Sequence, residues 1–427
     1  MAAWRAFRKQ CASATAEDFC IVWLPGRVHV CITNFMSVLT LIAGLACLAE
    51  VLGDAFQTII LPRRASNRLR ISRVFLAATW RPWRFIASRM KPGQRRESFL
   101  SYFGPLTLLL LIVVWAAGLI VGFALIAHAI GSPFADAHPF GLWKTDFYVS
   151  ATTLFTLGLG DVIPVNESAR LLTSLEAGMG LAFVAGVISY LPVLYGGFSR
   201  RETSIILLDG RAGSPPAAME LLRRHAGPAG ERALETILVE WERWSAELLE
   251  THISYPQLCL FRSQHDNQSW LGALVVMLDT TAVLLATVQG EAAHQAQQTF
   301  IMARHAIIDL AHVFSLEIAP APVDRFPAGE VAHACQQLQT SGYCLCDQRG
   351  AVERLRELRA MYEPYAFALS KLLMQPLPPF TPRASASSNW NRVAAVSAQG
   401  TQSAASPLST KAGQGLYDPF AGDGHTF

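Results

Sequence analysis

The chain has 427 residues, 52% hydrophobic and 16% charged, with a formal net charge of +3. A mean hydropathy of +0.29, concentrated in apolar blocks, excludes an ordinary soluble protein and fits a membrane protein with a soluble appendage. The small net charge says little as a total; its distribution says more. The eight cysteines, at 11, 20, 31, 47, 259, 335, 344 and 346, include no CxxC pair. That argues against a disulfide or zinc framework and for small apolar fillers.

In the N-terminal segment, residues 1–30, the apolar stretch at 21–24 stops at Pro25, so no cleavable signal is expected. Residues 31–61 reach spanning length, about 20 apolar residues. They carry no charge up to Ala49, and Glu50 and Asp54 then follow on one helical face. Residues 62–104 form a basic linker, with eleven basic residues and no acid between Arg63 and Arg96. Residues 105–130 have no formal charge, and His128 lies near their end. Residues 171–195 carry one, Glu176.

Arginine placement predicts the orientation. The linker 63–96 should lie inside, and Arg200 and Arg201 should mark the inner end of the last span. The loop 131–168 has only Lys144 against Asp136, Asp146, Asp161 and Glu167, and should lie outside. If residues 31–61 also span, the N-terminus lies outside. Within the linker, Trp80-Arg81-Pro82-Trp83-Arg84-Phe85 suits a helix at headgroup level with aromatic rings in the interface. It reads as anionic-lipid recognition or as topology alone. Its position between spans argues against nucleic acid.

Thr153-Leu154-Phe155-Thr156-Leu157-Gly158-Leu159-Gly160-Asp161 stands between two apolar stretches. Two glycines flanking one residue suit a backbone that points successive carbonyls at one axis. Rings of such carbonyls replace the hydration shell of a potassium ion. The segment resembles the pore loop of the tetrameric potassium channel family, in its single-pore-loop bacterial form. Its Gly-Leu-Gly-Asp resembles the second pore loop of some two-pore-domain members.

The resemblance covers residues 105–197. It implies an outer helix at 105–130 and a pore helix at 143–155, with Phe147 and Tyr148 at aromatic positions and Thr153 opening a Thr-x-x-Thr spacing. Thr156, Leu157, Gly158, Leu159 and Gly160 would form the selectivity filter, their carbonyls and the Thr156 hydroxyl binding potassium ions. Asp161 would sit at the outer mouth and raise the local cation concentration. The inner helix, 171–195, would bend at Gly180 or Pro192 as a gating hinge, with close helix packing as the other role for its glycines. An ionisable group in such a helix is costly and usually functional. Glu176 is therefore expected behind the filter as a pH-sensitive group, or else snorkelling to outer water. Leu157, Leu159 and Val149 depart from the family pattern, which usually has valine or isoleucine, tyrosine or phenylalanine, and tryptophan there. Leu159 lacks the hydroxyl that braces the filter in many members.

Residues 198–375 read as a helical cytoplasmic domain, with helical spacing at 219–224, 233–251, 271–288, 298–316 and 352–373. The run 271–288 is long enough to span, but Asp279 and the absence of flanking arginines favour a buried bundle helix. Residues 204–210 look briefly like a strand and turn, yet no G-x-G-x-x-G follows, so no dinucleotide fold is expected. His305, Asp309 and His312 share a helical face and form a weak candidate metal site beside the reading of an ordinary polar face. Residues 376–427, rich in Pro, Ser, Ala, Gly and Gln, read as a disordered tail.

The expected protein is thus all-α: an extra N-terminal transmembrane helix, then outer helix, pore helix, filter and inner helix, and a helical cytoplasmic domain. It is expected in the cell membrane as a homotetramer, since one pore loop supplies a quarter of a filter. No catalytic constellation and no cofactor is expected, and potassium is the permeant species. The rivals are a weakly selective cation channel and a non-conducting tetrameric sensor or scaffold. A membrane enzyme, resting only on the histidine–aspartate helix, is more distant.

Overall fold

The computed structural model describes residues 23–24, 27–28, 32–59, 70–136, 141–265, 267–288, 291–343 and 348–382. Arg63, Arg64, Arg68, Cys344, Cys346 and residues 383–427 lie outside these. After a two-residue hairpin, β1 (Trp23–Leu24) with β2 (Arg27–Val28), the helices α1 (Ile32–Ile59), α2 (Ile71–Arg89), α3 (Gln94–Ser101) and α4 (Phe103–Ala129) follow. Strand β3 (Phe134–Asp136), helix α5 (Leu142–Leu154), strand β4 (Val162–Pro164) and helix α6 (Glu167–Ala212) come next. The rest is α7 (Ala218–Arg224), α8 (Pro228–Ser254), α9 (Trp270–Thr287), α10 (Glu291–Val313), α11 (Ala328–Thr340), α12 (Gln348–Ala360) and α13 (Glu363–Leu373). Four helical segments among the described residues are long and apolar enough to cross a membrane: Met36–Ile59, Gln94–Ala129, Glu167–Ala212 and Trp270–Thr287. The chain is an all-α membrane protein.

It divides into two compact units, residues 1–60 with 110–189 and residues 61–109 with 190–427. In the first, α1 and α4 run antiparallel at close range. A Cβ added at Gly118 would lie 2.6 Å from Val51, one at Gly122 2.5 Å from Leu48, and one at Gly44 2.8 Å from Ile126. Lipid is as apolar as leucine, so helices inside a bilayer associate by such close packing of small residues and by hydrogen bonds. Two such bonds are present here: Trp115 Nε1 donates to Asp54 Oδ2 at 2.9 Å, both residues buried, and Cys47 Sγ donates to Gly118 O at 3.4 Å. The indole bond explains Asp54 within the first span.

The second unit is a helical bundle around α9. This helix is buried on all sides, wrapped by α7, α10, α12 and α13, so its apolarity serves a protein core. Ser269 caps it by accepting from Gly272 N at 2.9 Å. Asp279 is compensated: Tyr362 Oη donates to its Oδ1 at 2.5 Å, and Arg325 pairs with its Oδ2. Arg359 extends this cluster to Glu363 at 3.0 Å and Asp324 at 2.8 Å.

Several sequence expectations are corrected. The segment 204–210 is not a strand; it ends α6, with Ile205 and Leu208 buried one turn apart. The stretch 352–373 is not one helix; α13 begins afresh with Pro364, whose missing N–H is tolerated in a first turn. The packed fold runs past residue 375: Phe380 is buried and stacks on Phe326, centroids 4.3 Å apart. The linker is no mere spacer, since residues 70–101 belong to the bundle unit. Its tryptophans turn inward. Trp80 Nε1 donates to Leu372 O at 3.2 Å, and Trp83 stacks on Phe99 at 4.4 Å. Indole N–H groups seek an acceptor when buried, and a carbonyl at the end of α13 offers one.

Candidate functional site

The pore-loop residues occupy the turn between α5 and α6. Helix α5 ends where Phe155 N bonds Ala151 O, and Thr156 N and Leu157 N then reach back to Thr153 O (2.9 Å) and Thr152 O (2.8 Å). From there the backbone alternates. Thr156, Gly158 and Gly160 have φ of 56°, 54° and 78°, with Leu157 and Leu159 outside that left-handed region. Such alternation suits a backbone whose successive carbonyls share one side of the strand. Glycine takes positive φ at little cost, but Thr156 is β-branched and strained there. Leu157 (61% exposed) and Leu159 (63% exposed) carry their side chains bare.

The far end of the loop is fastened. Tyr148 Oη, on α5, donates to Asp161 Oδ2 at 2.7 Å, and Val162 N donates to Asp161 Oδ1 at 3.1 Å. This bond supplies a brace that Leu159 cannot make. Beyond it, β4 pairs antiparallel with β3 (Phe134 with Pro164, Ala135 with Ile163, Asp136 with Val162), closing the loop against the segment that follows α4.

Glu176 is buried beside the pore helix, with its Oε1 in hydrogen bond with Ser150 Oγ. Ser150 Oγ also lies 3.0 Å from Ile120 O on α4. One carboxyl thus meets α5 at a serine that also touches α4, and Glu176 is buried rather than exposed. Gly180 passes the end of α5 so closely that a Cβ would lie 2.0 Å from Leu154 O. The structure gives it a packing role, and α6 runs unbroken through both Gly180 and Pro192. Phe147 is exposed, and Thr153 serves through its carbonyl.

A second cluster beside the pore helix was not singled out from the sequence. Asp146, fully buried on α5, accepts from His128 Nδ1 at 2.9 Å and from Ser132 Oγ at 2.7 Å. Trp143 stacks on the His128 ring at 3.6 Å. The partners, His128 on α4 and Ser132 in the turn after it, lie 18 and 14 residues from Asp146, a distance no periodicity spans. The positive φ of Thr156 was equally unforeseen.

The weak metal candidate does not assemble. His305 Nε2 lies 3.6 Å from Asp309 Oδ2, but His312 faces the Tyr365 ring. No group of three His, Cys, Asp or Glu side chains suited to a metal occurs among the described residues. Arg201 is not a solvent-exposed charge. It is buried in the second unit, donating to Leu258 O (2.9 Å), Phe261 O (3.0 Å) and His252 Nε2 (3.2 Å), and paired with Glu202 at 2.8 Å.

Residues 109–194 match a family model described as an ion channel. The match takes in most of α4, all of α5, the loop and the membrane part of α6, and supports an ion-channel function. The chain is also similar to an uncharacterized membrane protein, YdjJ, of Bacillus subtilis (strain 168). It is 23% identical to that protein over 241 residues, 56% of this chain and 67% of the relative. No solved structure matches.

Proposed function

We propose that the chain forms a homotetrameric, potassium-preferring channel that conducts passively, with Thr156, Leu157, Gly158, Leu159 and Gly160 as its filter. The observation that carries this reading is the φ alternation at Thr156, Gly158 and Gly160, which suits a backbone with its carbonyls on one side of the loop. Such carbonyls compensate a cation's lost hydration when four copies surround an axis. The α6 residues Leu171, Leu175, Leu181, Val184 and Ile188 are exposed in the single chain, which supports coverage by neighbouring copies and lipid. Asp161 marks the outer mouth, and the helical unit lies in the cytoplasm, as the arginine bias argues. Glu176 is the pH-sensitive group. Ser150 has one proton and two acceptors in reach, so a protonated Glu176 that donates to Ser150 satisfies both bonds.

One observation favours a weakly selective variant of the same pore: Leu159 is bare where the family has a bracing aromatic. Both readings are tested on purified protein in proteoliposomes, with particle size measured on the same sample. Wild type should be a tetramer that passes thallium and potassium. Gly158→Ala, which meets no neighbour within 4 Å but must hold φ 54°, should cost roughly 1–2 kcal/mol per subunit and abolish most flux at unchanged size. Equal sodium and potassium flux would leave the weakly selective pore. A stable monomer, or a tetramer passing nothing, would overturn conduction.

A further inference from the structure

Helix α2 has two opposed faces. Trp80 and Ala87 are buried against the bundle, with Leu76 and Trp83 packed beside them. On the helical wheel, Val74, Ala78 and Phe85 fall opposite Trp80 and Ala87. Val74, Phe85 and the adjoining Ile86 are large apolar residues left exposed. Arg73, Arg81 and Arg89 are exposed with them, and the Arg89 guanidinium lies 4.2 Å over the Phe85 ring. From residue 61 to residue 96 the sequence has no acid. The first, Glu97, is already engaged by Arg96 (3.2 Å) and Arg262 (3.3 Å).

The position of this face follows from its other side. Trp80 lies 4.7 Å and Trp83 5.6 Å from the ring of Phe103, the residue that opens α4. Two residues later begins the uncharged run that crosses the membrane. The inner face of α2 therefore rests on the point where the chain enters the bilayer, which is the headgroup level. An apolar strip rimmed by cations at that level matches an interfacial helix, and the tryptophans are not its membrane anchors, because they face the bundle. A second copy of α2 would bring the same cations face to face, which charge repulsion opposes.

We propose that the outward face of α2 is a docking surface for anionic phospholipid headgroups of the leaflet from which α4 departs. Phe85, Ile86 and Val74 enter the acyl boundary, and Arg73, Arg81 and Arg89 hold phosphates along its edge. Nothing in this requires ions to flow, so its test stands apart from that of the pore.

Hydrogen–deuterium exchange of the full-length protein tests it, in nanodiscs of phosphatidylcholine alone, in equal parts phosphatidylcholine and phosphatidylglycerol, and in nonionic detergent. Peptides covering residues 73–86 should exchange more slowly in the anionic bilayer, by roughly fivefold for each arginine that reaches headgroups. The slowing should shrink at high salt and vanish in the triple variant Arg73→Gln, Arg81→Gln, Arg89→Gln. Peptides from α9 report whether that variant folds. If it does not, Arg81→Gln alone should lose part of the slowing. Equal exchange in both bilayers, slowing that survives the substitutions, or equal slowing in nonionic detergent, which covers the apolar strip but carries no phosphate, would overturn the proposal.

Discussion

Thr156 and Glu176 show how single residues are held by what surrounds the loop. Thr156 keeps a backbone conformation that costs a β-branched residue on the order of 1–3 kcal/mol. The bonds of Thr156 N and Leu157 N to the end of α5, and the Tyr148–Asp161 bond, fix the loop at both ends and sustain that strain. Glu176 shares Ser150 with Ile120 O, so adding or removing one proton rearranges two bonds on the pore helix. Flux through wild type should therefore change severalfold between mildly acidic and alkaline pH, whereas Glu176→Gln should hold a flat profile near the acidic wild-type value. A variant that keeps the full pH response would remove Glu176 from gating. The threonines, glycines and aspartate of the loop were legible in the sequence because their spacing is local. The Asp146–His128–Ser132 bonds were not, because only folding brings those elements together.

At the scale of elements, α9 shows why apolarity alone is ambiguous. An 18-residue apolar run satisfies lipid and a bundle core equally, and Asp279 with the absence of flanking arginines distinguished them in sequence. The structure supplies what the sequence left open, a salt-bridged and hydrogen-bonded cluster around that carboxylate. Asp279→Ala should destabilise the second unit by about 3–5 kcal/mol, since it leaves Arg325 charged and buried with its principal partner gone. Asp279→Asn should cost less, because it keeps an acceptor for Tyr362. Chemical denaturation followed by circular dichroism would measure both. Helix α2 was legible only in part. Tryptophans interleaved with arginines are common to an interface and to a helix packed on protein, and the placement of Leu372 and Phe99 shows that the tryptophans themselves face protein. Helix α11 was missed altogether, its buried Val331, Ala334, Cys335 and Leu338 being spread thinly among polar residues.

For the whole molecule, the division into two units cuts α4 and α6 rather than falling between elements. Sequence reading placed the boundary near residue 198, where hydropathy changes. Packing places it at 190, because Tyr190 already lies against Tyr255 and Gln257 of the bundle. Stability of the second unit should depend on pH through His252. Burial, with the Arg201 charge added, depresses its pKa well below 6.5, so it stays neutral when folded. Arg201 donates to its Nε2, which leaves the ring proton on Nδ1. Above about pH 6.5 both folded and unfolded chains are neutral at this residue, and stability is complete. Below that the unfolded chain takes up a proton that the fold refuses, and stability falls by about 1.4 kcal/mol per pH unit. Melting of full-length protein at pH 7 and pH 5.5 should show the loss in wild type and a smaller one in His252→Gln; equal losses would place the sensitivity elsewhere. The pairing of Gly118 and Gly122 with Val51 and Leu48 has a mechanical consequence. Lateral tension in the bilayer pulls first on α1, whose surface is largely uncovered by the rest of the chain. To peel it from α4 would strand the Asp54 carboxylate and the Trp115 N–H in hydrocarbon, at several kcal/mol for each unsatisfied group. The two helices therefore bear stretch together, as one double-thickness stave.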